Sequence, residues 1–122
     1  MPTNDTMPLI LYGIPNCDTV KRARAWLAER GAEVRFHDFK KAGLPADRLD
    51  AWIAAAGWQR LLNRQGTTWR KLEPATQATL VDAASARALM LAQPSVIKRP
   101  VIAWPDGSTT VGFDAEDFSR RL

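Results

Sequence analysis

Tyr12-Gly13-Ile14-Pro15-Asn16-Cys17-Asp18-Thr19-Val20-Lys21 joins an apolar run to an amphipathic one. Upstream, Leu9-Ile10-Leu11-Tyr12 has the length and character of a short buried strand. Gly13 and Pro15 punctuate it. Downstream, Val20, Ala23, Trp26 and Leu27 recur on one helical face, with Lys21, Arg22, Arg24, Glu29 and Arg30 largely on others. Cys17, the single cysteine, therefore stands where a helix begins. Unpaired N–H groups there carry partial positive charge and favour a thiolate. In such settings a cysteine pKa of about 8.5 falls to roughly 3.5–7.5. Lys21 and Arg22 add positive charge in sequence, and Asp18 opposes it. The plainer alternative is that Cys17 is a small buried hydrophobe.

The 122 residues suit one domain with a real core. A hydrophobic share of 46% with 25% charged residues is that of a water-soluble globular chain. The net charge of +4 is scattered, with no dense basic run and no repeated basic-aromatic module. Direct nucleic-acid binding is therefore not expected; an anionic substrate or acidic partner is. One cysteine excludes an internal disulfide, and one histidine, His37, leaves no metal-ligand cluster. No signal peptide or membrane span is visible, so a reducing cytoplasm is the expected compartment. Residues 1–7 read as a flexible leader. No heptads or long bare apolar stripe argue for an oligomer, and a monomer is expected.

Along the chain, Gly31 is placed as a left-handed helix cap. The alternation in Glu33-Val34-Arg35-Phe36-His37-Asp38-Phe39 predicts a second strand, parallel to the first through a right-handed crossover. His37 is expected to be a structural or surface residue rather than a catalytic base, since nothing near it in sequence forms a dyad. Pro45 opens a helix to Ala56, with Leu49, Trp52, Ile53 and Ala56 on one face, and Gly57 stops it. A turn of helix is expected from Trp58 to Leu62. Asn63 to Arg70 has no clear period and is expected to be a loop, with Trp69 a candidate for partner contact. Helices are expected around Ala75–Ala83 and Ser85–Gln93, with Ser85 as N-cap and Leu89, Met90 and Ala92 in apolar contacts. Val101-Ile102-Ala103-Trp104 and Thr109-Thr110-Val111-Gly112 flank the turn signal Pro105-Asp106-Gly107-Ser108 and predict an antiparallel hairpin. Asp114 caps a last helix, Ala115 to Arg121. The order is β-α-β, a helical middle, then β-β-α: an α/β fold with a four-stranded mixed sheet.

Tyr12 to Leu27, Phe36-His37-Asp38, Leu61-Leu62-Asn63 with Gly66 to Leu72, and Pro94-Ser95-Val96-Ile97-Lys98-Arg99-Pro100-Val101-Ile102 together resemble the ArsC/Spx family, closest to its YffB-type branch. The resemblance runs from Leu9 to the C-terminus. It implies a thioredoxin-like (glutaredoxin-like) core, residues 8–40 and 94–122, carrying an inserted helical subdomain, residues 44–93, in one domain over 8–122. It also implies a glutathione-dependent thiol reductase. The cysteine matching Cys17 is the nucleophile, no cofactor is bound, glutathione is the co-substrate, and glutathione or glutaredoxin resolves the adduct.

By the same resemblance, Arg99 is the basic residue before the family proline, and Pro100 takes the cis-proline position beside the cysteine. A guanidinium there steadies a thiolate and grips an oxyanion bidentately. Asn16, Lys21, Arg64 and Pro100 are the candidate substrate- or glutathione-binding residues. Arsenate-reducing members carry an arginine after the paired leucines, where this chain has Asn63. Arg64, one residue later, either substitutes or is a solvated loop residue. Those enzymes also carry an arginine after the last hairpin, where Val111-Gly112-Phe113 has no basic residue. Asp18 directly after the thiol is a further departure. Spx-type members bind RNA polymerase and often carry a Cys-x-x-Cys switch, whose second position is Val20 here. Three functions therefore stand: a monothiol reductase acting on a small-molecule or protein thiol/disulfide, a regulator binding RNA polymerase, or an arsenate reductase.

Overall fold

A computed structural model describes residues 8–122; the expected leader, residues 1–7, lies outside them. Two compact units emerge, one holding the chain through Ala42 and again from Arg99 to Leu122, the other spanning Gly43–Lys98.

The first unit is built on β1 (Leu9–Gly13), α1 (Asp18–Glu29), β2 (Val34–Asp38), β3 (Val101–Ala103), β4 (Thr109–Val111) and α7 (Ala115–Arg121). Its four strands run in the order β2-β1-β3-β4. β1 pairs parallel with β2, Leu11 opposite Phe36, and antiparallel with β3, Leu11 opposite Ile102. β3 and β4 form the antiparallel hairpin, Ile102 opposite Thr110. This is the four-stranded mixed sheet of a thioredoxin-like fold.

Its helices cover the sheet because their apolar stripes match it. Val20, Ala23 and Leu27 of α1 are buried against Leu9, Leu11 and Ile102, together with Trp104 and Phe118. Trp26 is half-buried, its ring edge-on to Phe118 at 5.8 Å and to Phe113 at 6.2 Å between centroids. Gly31 ends α1 at φ 71°, which an L side chain adopts only with strain. The hairpin closes one residue earlier than the pattern predicts. Trp104 leaves the strand, its carbonyl accepting from Gly107 N–H at 2.9 Å and its indole N–H donating to Thr110 Oγ1 at 2.9 Å. Asp114 caps α7 as expected, its carboxylate accepting from the Asp117 amide at 3.1 Å.

The second unit contains α2 (Ala46–Ala56), α3 (Trp58–Leu61), α4 (Thr67–Arg70), α5 (Pro74–Gln77) and α6 (Ala83–Ala92), then a 3-10 turn at Pro94–Val96. Leu49 and Trp52 of α2 and Ala86 and Met90 of α6 are buried. Arg87 ties α6 to α2 by donating to Asp50 at 2.6 Å.

Several boundaries differ from the sequence reading. Asn63 to Arg70 is not all loop: α4 forms behind Gly66, and Gln77 Nε2 caps the Trp69 carbonyl at 2.8 Å. That donor comes from a later segment, so the local sequence carries no sign of it. The helix expected over Ala75–Ala83 stops at Gln77. There the Thr79 hydroxyl bonds the Thr76 carbonyl at 2.6 Å and competes with helix propagation. The N-cap of α6 is Asp82, not Ser85. Asp82 accepts from the Ser85 amide at 2.9 Å while Ser85 Oγ accepts from the Asp82 amide at 3.1 Å, a capping box. Ala92 is exposed, and Ala86 takes the buried place expected of it.

The helical insert is also longer than 44–93. Asn63 N–H donates to the Val96 carbonyl at 2.8 Å and Lys98 N–H to the Leu61 carbonyl at 2.7 Å. A bridge between Leu62 and Ile97 completes the link. These backbone bonds hold Pro94–Lys98 in the second unit, so the sheet unit resumes only at Arg99. Among the described residues, no helix is long and apolar enough to cross a membrane.

Candidate active site

Cys17 is the N-cap of α1, in extended backbone at φ −140° and ψ 122°. The helix begins beneath it, with Lys21 N–H donating to the Cys17 carbonyl at 2.9 Å. The thiol is half-buried. Burial pushes its pKa up, but four opposing influences together hold it below its ordinary value. In order, they are the Val20 amide, a hydrogen bond from the Arg99 side chain, the Arg99 charge, and the Thr19 amide. The sulfur closes no conventional cap hydrogen bond. The two amides act on it as the positive end of the helix, favouring the anion.

The nearby charges in sequence matter less than expected. Lys21, Arg22 and Asp18 are not among the leading influences on the thiol. All three are exposed. The cation that does act arrives from the other end of the chain, on the residue that begins the sheet unit's return.

The turn that delivers Arg99 is tied to the residue that follows β4. The Arg99-Pro100 peptide is cis, matching the expectation from the family motif. Pro100 is buried, and its carbonyl accepts from Gly112 N–H at 2.8 Å. Gly112 has φ 88°, a conformation that favours glycine. β3 then starts at Val101 and pairs with Tyr12 of β1, whose end leads directly into Cys17. Strand pairing thus brings Arg99 and Cys17 together.

Gly13 has a different role. A Cβ there would stand 2.9 Å from Val20 Cγ2, closer than carbon atoms pack. Its absence lets the first turn of α1 settle against β1, which sets where the Val20 amide lies. In the sequence alone Gly13 reads only as punctuation at the end of an apolar run. The missed signal was a glycine at the end of a strand with a β-branched residue one helical turn past the thiol.

Of the other candidates, Asn16 and Lys21 are exposed on either side of Cys17 in sequence. Arg64 belongs to the second unit, exposed, with its guanidinium 5.6 Å from the centroid of the Trp69 ring. His37 lies in β2 opposite Tyr12, their rings 5.1 Å apart.

Fold and site together define a thioredoxin-like α/β domain with a single thiol at a helix start and an arginine before a cis proline. The chain belongs to the ArsC family, whose model matches residues 12–120. A solved structure of a YffB protein is 49% identical with a TM-score of 0.88, the match covering 93% of this chain and 98% of that one. An arsenate reductase (ArsC) related protein from Brucella melitensis is 51% identical at a TM-score of 0.74, covering 93% of each chain. An uncharacterised protein of Haemophilus influenzae is 37% identical over 110 residues, covering 90% of this chain and 95% of its own. An arsenate reductase from Vibrio cholerae shares the fold, with a TM-score of 0.79 at 17% identity.

Proposed function

We propose that this protein is a monothiol reductase that uses glutathione as its external thiol. The observation that carries the reading is the thiol of Cys17, the chain's one cysteine, held toward its anionic form by helix amides and Arg99. The Cys17 thiolate attacks one sulfur of a disulfide, releases the other half as a thiolate, and becomes a mixed disulfide. With no second cysteine in the chain, resolution is intermolecular. A glutathione thiolate attacks the mixed disulfide and displaces the substrate thiolate, leaving glutathionylated Cys17. A second glutathione thiolate attacks the glutathione sulfur of that adduct, forming glutathione disulfide and releasing the Cys17 thiolate, so two electrons pass from two glutathiones to one substrate disulfide. Arg99 steadies the Cys17 thiolate before attack and again when it is the leaving group.

Two measurements test this. The rate of iodoacetamide alkylation against pH should report an apparent pKa below the free value of about 8.5; a value at or above it removes the case for activation. Mass spectrometry after incubation with oxidised glutathione should find one adduct, on Cys17, and none in Cys17→Ser.

Arsenate reduction is the second reading, favoured by the Brucella relative's name and by an arginine beside the thiol. It requires arsenate-dependent oxidation of glutathione, lost in both Cys17→Ser and Arg99→Gln. Activity on a mixed disulfide such as hydroxyethyl disulfide, without activity on arsenate, separates the first reading from the second. A regulator acting through RNA polymerase instead would capture that enzyme equally well as Cys17→Ser.

A further inference from the structure

We infer that the outer edge of β2, with the groove between it and α1, is a docking site for an extended, acidic segment of a partner protein. The inference stands apart from the chemistry at Cys17. Three observations meet at this edge.

The first is an unfilled backbone edge. Leu9 N–H donates to the Glu33 carbonyl and Phe39 N–H to the Gly13 carbonyl. Backbone groups alternate sides along a strand, so Arg35 and His37 also turn toward β1, and Val34 and Phe36 turn outward. Among the described residues β2 pairs with β1 alone. The far end of the strand is closed, because the Asp38 carbonyl accepts from Ala42 N–H at 2.8 Å. The open stretch is therefore Val34 to Phe36, with no proline in it. The opposite edge of the sheet, β4, has only three residues, and shortness is a common protection of edges.

The second is a groove of about 510 Å³ beside that edge, within the range of ligand-binding clefts. Ala25 and Ala28 of α1 leave the space, and Val34 and Phe36 form the wall on the strand side. An added strand would send alternate side chains into it.

The third is charge. Lys21 and Arg24 line the groove, and no carboxylate does. Arg24 is held over the Phe36 ring, 4.2 Å from its centroid, so its charge is kept at the groove rather than swung into solvent. An apolar side chain with a carboxylate two residues to either side fits this lining, because positions i and i±2 share one face of an added strand: the apolar group enters between the alanines and Phe36, and the carboxylates meet Lys21 and Arg24.

The test is an amide NMR titration with a blocked heptapeptide in which threonines alternate with glutamate, valine and glutamate in turn, so that both carboxylates share the valine's face, and with its counterpart carrying lysine in place of glutamate. The acidic peptide should shift the Val34 and Phe36 amides and slow their hydrogen exchange, and the basic one should not. Lys21→Glu with Arg24→Glu, both exposed positions, should weaken binding by roughly tenfold or more. Val34→Pro, which removes an outward donor at the first residue of an edge strand, should weaken it too. No shift at millimolar acidic peptide, equal response to both peptides, or shifts confined to another surface would each overturn the inference. So would sedimentation showing that the β2 edge is filled by a second copy of this chain.

Discussion

Arg99, the residue before the cis proline, hydrogen-bonds the sulfur of Cys17, which starts the first helix from the other end of the chain. The pair exists because β3 lies antiparallel against β1. Arg99 and the helix amides favour the same charge state of the thiol. Removing either influence should therefore move its acidity in a known direction.

Arg99→Gln should raise the apparent pKa of Cys17 and slow its alkylation at neutral pH by roughly an order of magnitude, given the strength of charge-assisted hydrogen bonds. Arg99→Lys should restore part of the rate, since it keeps the charge and loses the planar fork. Stopped-flow alkylation across pH checks both. An unchanged profile in Arg99→Gln would show that the amides alone set the acidity.

The same shift links stability to pH. The folded thiol has a lower pKa than the unfolded one, so its contribution is fully present above the unfolded value. It is lost as pH falls through the folded value. The stability difference between wild type and Cys17→Ser should therefore grow with rising pH and level off above about 8.5. Urea titrations at a series of pH values measure it, and a difference that shrinks with rising pH would contradict the assignment.

Gly13→Ala should destabilise the fold by about 1–3 kcal/mol, the usual cost of overpacking. The new methyl would stand 2.9 Å from Val20 Cγ2. Because the displaced turn carries the Val20 amide, Cys17 alkylation should also slow. Val20→Ala in the same chain should recover much of the reactivity by giving the methyl room.

Phe118→Ala should cost about 3–5 kcal/mol, as large-to-small changes in cores do. Phe118 is fully buried, with the Trp104 ring at 5.1 Å and the Phe113 ring at 5.3 Å. It also packs edge-on against Trp26 of α1, so its loss should loosen the helix that presents Cys17.

Ser85→Ala should cost about 0.5–1.5 kcal/mol by opening the capping box of α6. Asp82, held below the usual carboxylate range by the Ser85 amide and hydroxyl, should then titrate closer to its ordinary value. In wild type, the Asp82 contribution is present above the unfolded carboxylate pKa and fades as pH falls through the folded one. NMR titration of the Asp82 carboxyl in both proteins checks the sign.

What was readable in the chain was what acts at short range. The Val20, Ala23 and Leu27 stripe, the left-handed Gly31, the Asp114 cap and the Pro105–Ser108 turn all draw on neighbours within a few residues. The thiol at a helix start belongs with them. Where a distant partner decides, local pattern was silent or misleading. α4 depends on the Gln77 side chain, and Pro94–Lys98 joins the helical unit through bonds to Leu61 and Asn63.

The sequence by itself determined the order of the strands and of the longer helices, and that a lone sulfur would meet a helix's positive end, because periodicity and capping are properties of contiguous residues. Only the tertiary structure decided which cation faces that sulfur. Lys21 and Arg22 are near it along the chain but exposed, whereas Arg99 is delivered by the β1–β3 pairing. The physical reason is that Coulomb and hydrogen-bond energies depend on distance and burial in space, and separation along the chain enters neither.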